Sequence, residues 1–134
     1  GYRYDSSVHP TFVPGRYDMR GYPPHPFHFE NSILEIPISV TPRLRLPVGW
    51  WWLRNLGIKY TVMAARTILS EVGILVFYFH PWDMLTPVRV RGVPWHIYRN
   101  TGEKMLSLLK NFIKYLQGER ASFCILKEVH GRLK

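Results

Sequence analysis

One histidine of this sequence stands where catalytic side chains stand in many α/β proteins. His80 directly follows six apolar or aromatic residues, 74–79, which begin after Gly73. A short continuous apolar run rich in β-branched and aromatic residues predicts a strand buried on both faces, as in parallel sheets covered by helices. Because catalytic residues lie at the carboxyl ends of such strands, His80 is a candidate catalytic residue. The alternative is a hydrogen-bonded histidine that only ends the strand.

Aromatic residues near this histidine in sequence are candidates for binding a ligand. Pro81 has no N–H to donate and ends the strand, so Trp82 and Asp83 begin a loop over the same face. The tryptophans at 50–52 cannot all point inward from a regular element, so at least one is expected to be exposed or to line a cleft. Aromatic faces suit both sugar rings and bases. The alternative is an apolar plug packed under a helix.

A second group of polar residues has the types of a metal site but not its context. His25, His28 and Glu30 lie in the segment 9–31, which has five prolines and is predicted to be an irregular surface loop. The Pro-rich context and the lack of a fourth ligand favour a solvated loop. The single cysteine, Cys124, excludes an intrachain disulfide framework and a multi-cysteine metal site. We therefore expect no metal site in this chain.

Two helices are predicted around these residues. Residues 55–71 have apolar side chains at helical spacing, and Gly73 is expected to end that helix. A second helix is expected to start at Asn100 or Thr101, as N-cap, and to close at Gly118. Helix, glycine and buried strand in this order make one α/β unit, so the fold class is predicted to be α/β.

Length and charge limit the remaining choices. Residues 32–40 and 121–126 are predicted to be further strands, the first an edge strand or a strand with an irregular end because of Pro37. The 134 residues make one domain but are too few for a complete α/β barrel, which needs ~200. The net charge of +9 comes from scattered basic residues with no nucleic-acid-binding motif, so attraction to an anionic polymer or membrane surface is the cautious inference.

Nothing in the sequence indicates a membrane segment or a leader. No run approaches the ~18 apolar residues that a membrane span needs. The chain starts at Gly1 with no hydrophobic leader and no initiator methionine, which we interpret as a cut edge. The localisation, cytoplasmic or envelope-associated, is left open.

Five segments, in this order and spacing, resemble a known family. They are GYRYDSSV (1–8), ILEIPIS (33–39), LPVG (46–49), FYFHPWD (77–83) and HIYRN (96–100). Together they look like the C-terminal half of a NodB-homology polysaccharide deacetylase, of the carbohydrate esterase family 4 type. The nearest branch is the one found with exopolysaccharide loci of bacteria and archaea. The resemblance covers residues 1–130, and it makes 1–134 a single region, the C-terminal portion of a catalytic domain.

The resemblance implies a distorted (β/α) barrel, incomplete in this chain. Such an enzyme removes N-acetyl groups from polysaccharides that contain N-acetylhexosamine, with the help of a divalent metal, Zn or similar. The family's metal ligands, an Asp and two His, belong upstream of Gly1, so the chain alone is expected to be inactive. Because a half barrel has open sheet edges, we expect pairing with the missing N-terminal half or self-association.

The resemblance also implies roles for single residues. His80 matches the late general acid, a role that suits imidazole because the departing amine must be protonated near neutral pH. The residues expected near the sugar are Trp50, Trp51, Trp82 and Asp83, with Asp5 in a supporting role. Tyr78 departs from the family, which has a leucine two residues before the histidine, and the tryptophans at 50–52 replace glycines. Both departures bear on the shape of the substrate cleft.

Two other classes of function compete with the deacetylase. One is a non-catalytic carbohydrate- or polyanion-binding module that uses the tryptophans and the scattered arginines. The other is a basic nucleic-acid-binding domain, which charge alone supports. The expected partner is a polysaccharide or oligosaccharide, not a nucleic acid.

Overall fold

The computed structural model describes residues 1–30 and 32–133, which form a mixed α/β structure. The helices are α1 (Trp50–Leu56), α2 (Ile58–Glu71), α3 (Trp95–Tyr98), α4 (Glu103–Gly118) and α5 (Leu126–Arg132). The strands are β1 (Tyr4–Asp5), β2 (Phe12–Val13), β3 (Tyr17–Asp18), β4 (Phe27–His28) and β5 (Leu34–Glu35), and a 3-10 turn covers Pro81–Met84. The predicted α/β class is confirmed. Within the described ranges the strands do not close into a barrel.

Two small sheets contain the five strands. β1 runs parallel to β5, with Tyr4 opposite Leu34, and β4 pairs antiparallel with the other edge of β5. β2 and β3 form a separate antiparallel pair. The segment 9–31, expected to be an irregular loop, therefore contains three two-residue strands, and its last residue, Asn31, lies outside the described residues. Its prolines keep these strands short because each removes a backbone donor.

The segment 74–80 is extended, as its apolar run indicates, but it does not join a regular ladder. Ser39 donates its backbone N–H to Val76 O at 3.2 Å, on one edge of the segment. Toward the other edge, the backbone groups of Leu75 and Phe77 have no hydrogen bond within the described residues. Most side chains of the segment are half-buried. The prediction of a strand buried on both faces is wrong, because residues 74–80 form no regular strand and most of their side chains are only half-buried.

Two apolar clusters position this segment. The larger joins α1, α2 and α4, and its buried members are Leu53, Ala65, Met105, Leu109, Phe112 and Leu116. Leu75 and Phe77 pack against this cluster, whereas Ile74 and Val76 pack against a smaller cluster at β5 and α5. Successive side chains of an extended chain point to opposite faces, so the segment contributes to the core on both sides. Its carboxyl end, at His80, is thereby held above α1.

The helix predicted over 55–71 is in fact two helices that meet at Gly57. Gly57 has φ +84°, in the left-handed region that favours glycine, and the chain changes direction there. α1 begins at Trp50, so all three tryptophans lie on a helix. The prediction that Gly73 ends the second helix is confirmed, because Gly73 has φ +80° and its N–H caps the last turn of α2.

Two boundaries near the C-terminus also differ from expectation. The residue that flanks the start of α4 is Gly102, with φ +65°, rather than Asn100 or Thr101. Residues 121–125 have no regular secondary structure, so the strand predicted over 121–126 is not formed, and Leu126 instead opens α5. Among the described residues, no helix is long and apolar enough to cross a membrane.

Candidate functional site

His80 lies at the junction between the extended segment 74–80 and the 3-10 turn. Its backbone is extended, with φ −111° and ψ 137°, and Pro81 then starts the turn. Asp83 donates its N–H to His80 O at 3.0 Å, which closes the turn over the end of the segment. The side chain of His80 is half-buried. His80 was predicted at the carboxyl end of a buried strand; it lies at the carboxyl end of a half-buried extended segment that forms no strand.

Three aromatic rings surround the His80 imidazole. Trp82 stacks parallel on it, with ring centroids 4.2 Å apart and planes 9° apart. Trp50 and Tyr78 meet the imidazole edge-on, at 5.5 Å and 5.7 Å. We call these four residues the aromatic face. Trp82 is 61% exposed, so the face is open on that side.

A glycine allows Tyr78 to take this place. A Cβ at Gly49 would stand 3.1 Å from Tyr78 Cε1, a distance that forces the ring to shift. The hydroxyl end of Tyr78 is partly desolvated, and burial raises the pKa of Tyr78. The LPVG motif therefore has a structural role that its position before the tryptophans did not reveal.

A buried ion pair supports the aromatic face from behind. Arg54 Nη1 donates to Asp83 Oδ1 at 2.8 Å, and the two side chains are 2% and 4% exposed. The Arg54 guanidinium also lies 4.8 Å from the centre of the Trp50 ring. Burial raises the pKa of Asp83, which the Arg54 charge opposes, and burial lowers the pKa of Arg54. Asn100 anchors the pair by donating from Nδ2 to Arg54 O at 2.8 Å.

The ion pair shows that Asp83 does not lie where the sequence predicted, and it adds Arg54 to the residues of the site. Asp83, expected near the sugar, is only 3% exposed, and its carboxylate forms an ion pair with Arg54. Sequence reasoning missed Arg54, although a charged residue inside the apolar run of α1 was a usable signal that a buried partner exists.

The other predicted site residues lie elsewhere. Trp51 packs edge-on against Trp52 at 4.6 Å and against His96 at 6.0 Å. Of the three tryptophans of α1, Trp50 is the one that contacts His80. Asp5 is exposed on β1, where its carboxylate accepts from Ser6 N at 2.8 Å and Ser7 Oγ at 2.7 Å. The structure thus brings Trp50, Trp82 and His80 together but gives neither Trp51 nor Asp5 a ring or hydrogen-bond contact with them.

A second histidine, which sequence reasoning did not single out, lies behind the aromatic face. His9 is 6% exposed, and a 2.8 Å hydrogen bond joins its Nδ1 to Tyr17 Oη. Its ring meets Tyr78 edge-on at 6.4 Å. Burial lowers the pKa of His9 to about 4. Its Nε2 is buried, with no hydrogen-bond partner among the described residues.

The residues that could suggest a metal site, His25, His28 and Glu30, lie on the Pro-rich segment. Within the described part of the chain, no group of three His, Cys, Asp or Glu side chains could hold a metal ion. His25, on the Pro-rich segment, is exposed, with its Nδ1 3.1 Å from Pro26 O, and His28 lies on β4.

The family assignment follows from the extent of one match. The model of the family described as domain of unknown function DUF3473 matches residues 6–130, which is most of the chain. The chain belongs to the DUF3473 family. Neither the curated proteins nor the solved structures contain a match to it.

The DUF3473 region contains the complete site. The aromatic face, the Arg54–Asp83 pair and His9 all lie within residues 6–130, whereas Asp5 lies just outside this range. The description of the DUF3473 family states no activity. A function for this chain must therefore be argued from the chemistry of the site.

Proposed function

We propose that this DUF3473 chain is the C-terminal part of a metal-dependent polysaccharide deacetylase, which removes N-acetyl groups from N-acetylhexosamine units. The observation that carries the proposal is the position of His80, at the end of an extended segment and on an aromatic face that is open at Trp82. In the complete protein, the segment 74–80 is taken as a late strand of a distorted (β/α) barrel. The resemblance of five sequence segments to NodB-type enzymes gives the reaction class.

His80 would act as the general acid. Hydrolysis of an acetamide passes through a tetrahedral intermediate, in which the C–N bond can break only if the nitrogen receives a proton. The His80 imidazolium would donate that proton, the amine would leave on the sugar, and acetate would remain. A positioned imidazole suits this step because its ordinary pKa lies near neutral pH.

The surrounding residues would orient both reactants. The apolar face of a sugar ring can lie against an indole, so Trp50, Trp51 and Trp82 are proposed to contact the polymer. The Arg54–Asp83 pair would hold the acid in place, because Asp83 N fixes His80 O and Arg54 packs on Trp50. A catalytic group held in one geometry needs less reorganisation during the reaction.

We place the ligands of a divalent metal, Zn or similar, outside this chain. No suitable cluster occurs among residues 1–30 and 32–133, and no step above depends on the metal. The backbone groups of Leu75 and Phe77 that lack partners in the described residues offer an edge for pairing. We propose that the upstream part of the enzyme, or a second copy, pairs there and that the isolated chain is inactive.

A non-catalytic carbohydrate- or polyanion-binding module is the second candidate. It is favoured by a cavity that three basic side chains and a tryptophan line, away from His80. Such a module would need the exposed aromatic and basic residues but not a proton donor.

The test is acetate release from N-acetylated oligosaccharide by the complete protein and by its His80→Ala variant. We expect turnover to fall by roughly 10²–10⁴-fold, the range for losing a positioned general acid. Metal content and melting temperature should hardly change, because His80 is half-buried at the end of an element and no described residue beside it forms a metal cluster.

Two other outcomes would decide against the proposal. Turnover that survives within about threefold, far below the expected range, would remove His80 from catalysis. A wild-type protein that binds the oligosaccharide but releases no acetate, with metal supplied, would favour the binding module.

A further inference from the structure

A cavity of about 590 Å³ lies between the start of α4 and the loop that precedes α3. Its lining includes three cationic side chains, Arg89, Arg99 and Lys104, and two aromatic ones, Trp95 and Tyr98. We call it the basic cavity. Pockets for small ligands in proteins have volumes of roughly 300–1,000 Å³, so this one can hold one or two sugar rings.

The positive charge of the basic cavity is not neutralised from within. None of the residues that line it is acidic. Within the described residues, the ion pairs involve other side chains, so Arg89, Arg99 and Lys104 have no carboxylate partner there. A concave site lined by one sign of charge concentrates counter-ions, so the basic cavity favours an anionic ligand.

The aromatic side chains narrow the choice of anion. Trp95 is 67% exposed, and the Arg99 guanidinium lies 5.4 Å from the centre of its ring. This contact holds a planar, forked donor beside an open apolar surface. An arginine fork matches a carboxylate in geometry, and an indole face matches the apolar face of a sugar ring. A sugar ring that carries a carboxylate can contact both the guanidinium and the indole, whereas a free inorganic anion can contact only the guanidinium.

The basic cavity is built into the same framework as the aromatic face. Asn100 lines the cavity, and its Nδ2 donates to Arg54 O at 2.8 Å. Arg54 in turn pairs with Asp83 and packs on Trp50 beside His80. The loop is held as well, because Val90 N donates to Tyr98 Oη at 2.8 Å. One polymer chain could therefore meet both sites.

We propose that the basic cavity is a subsite for an acidic sugar residue, whose carboxylate binds Arg99 and whose ring lies on Trp95. This inference rests on the proposed function for its class of ligand, and it defines the substrate as an anionic polysaccharide that contains uronate next to N-acetylhexosamine. A nucleic acid fits less well. Its affinity depends on a row of phosphate contacts along a basic stripe, whereas the cations here converge on one cavity.

The experiment compares two oligosaccharides that differ in charge. Hyaluronan tetrasaccharide alternates glucuronate with N-acetylglucosamine, and fully N-acetylated chitotetraose, called chitotetraose below, is its neutral counterpart. Calorimetry would be done at low ionic strength with the complete protein carrying His80→Ala, so that neither is consumed. We expect hyaluronan tetrasaccharide to bind about tenfold more tightly or better, as charge-assisted hydrogen bonds allow.

Two variants locate the binding. Arg99→Gln should remove most of the preference for hyaluronan tetrasaccharide and leave chitotetraose binding unchanged. Lys110→Gln is the matched control, because Lys110 is exposed on the same helix as Lys104 but does not line the cavity. It should leave both affinities unchanged. Melting temperatures would show that each variant is folded.

Equal binding of the two oligosaccharides, or a preference that Arg99→Gln leaves intact, overturns the inference. So does tighter binding of a single-stranded oligonucleotide than of hyaluronan tetrasaccharide, which would indicate a nucleic-acid ligand. The proposed function fails separately. If the preference depends on Arg99 but the complete wild-type protein with metal releases no acetate, the anionic subsite stands and the deacetylase does not.

Discussion

His9 and His80 are alike in sequence and opposite in environment. Each is followed by a proline, and each presents its ring to the edge of Tyr78, at 6.4 Å for His9 and 5.7 Å for His80. His9 is 6% exposed and is bonded to Tyr17 Oη. His80 is half-buried on the open aromatic face, stacked on the exposed Trp82.

The difference shows how environment selects a chemical role for one residue type. Burial lowers the pKa of His9 to about 4, because the charged imidazolium loses its hydration and no carboxylate replaces it. His9 is therefore neutral at neutral pH and cannot donate a proton as an imidazolium. His80, on a surface that a ligand can reach, keeps the proposed role of general acid.

The largest expected effect is on turnover. In the complete form of the proposed deacetylase, His80→Asn should lower kcat by roughly 10²–10⁴-fold, whereas His9→Asn should leave it within about threefold. Asparagine can keep one polar contact near the Nδ1 position of the histidine that it replaces. Because the same substitution is made at both positions, the two variants lose the same atoms. Acetate release at saturating substrate is the measurement. An equal loss of kcat in both variants would contradict the contrast between the two histidines and would indicate that His9 also contributes to catalysis.

The second effect concerns the buried ion pair behind His80, which has no counterpart at His9 among the described residues. Arg54→Met leaves Asp83 buried without its partner and should cost about 3–5 kcal/mol of unfolding free energy. The double variant Arg54→Met with Asp83→Leu removes both charges and should recover most of that loss. Urea unfolding of the three proteins measures the difference. A single variant that loses less than about 1 kcal/mol would show that the pair does not stabilise the site.

The third effect is the pH dependence of stability. The unfolded chain binds a proton at His9 near pH 6.5, whereas the folded chain does so only near pH 4. Between these values the unfolded state holds more protons at this site, so the contribution of neutral His9 to stability is complete above pH 6.5 and is lost as the pH drops toward 4. The shift corresponds to a loss of up to about 3 kcal/mol across this window.

The contribution of His9 is isolated by difference. The urea concentrations at the unfolding midpoint would be measured for wild type and His9→Asn between pH 7 and pH 4.5. The two values should converge as the pH falls, because the wild type loses the contribution of neutral His9. His25→Asn, at an exposed histidine, is the control and should run parallel to wild type. Parallel curves for His9→Asn and wild type would mean that His9 is not held neutral by burial.

The smallest effect is on ligand affinity. Trp82 is 61% exposed, so Trp82→Ala should cost little stability but should weaken binding of chito-oligosaccharide about tenfold, as expected for losing one stacking surface. Trp52 is half-buried against Trp51 and Tyr60, so Trp52→Ala should show the reverse pattern. Tryptophan fluorescence titration and melting temperature distinguish them. If Trp82→Ala binds normally, the open side of the aromatic face is not a sugar surface.

Much of the candidate site could be found from the sequence, but the buried ion pair behind it could not. The apolar run before His80 located that residue at the end of an extended segment. Of the three tryptophans expected near the sugar, Trp50, Trp51 and Trp82, the structure places the first and the last against His80. Asp83 was recognised by type, but its pairing with Arg54 joins residues 29 positions apart. Such pairing depends on how α1 packs against the 3-10 turn, which no local pattern records.

The sequence by itself determined the α/β class, the amphipathic course of α2 and α4, the stop at Gly73 and the place of His80 in the chain. These features depend on side-chain periodicity and on backbone preferences, which act over a few residues. Tertiary structure decided the break at Gly57, the half-burial of the segment 74–80 and the difference between His9 and His80. Desolvation is the physical reason, because the charge that a histidine can carry depends on how completely distant parts of the chain exclude water from it.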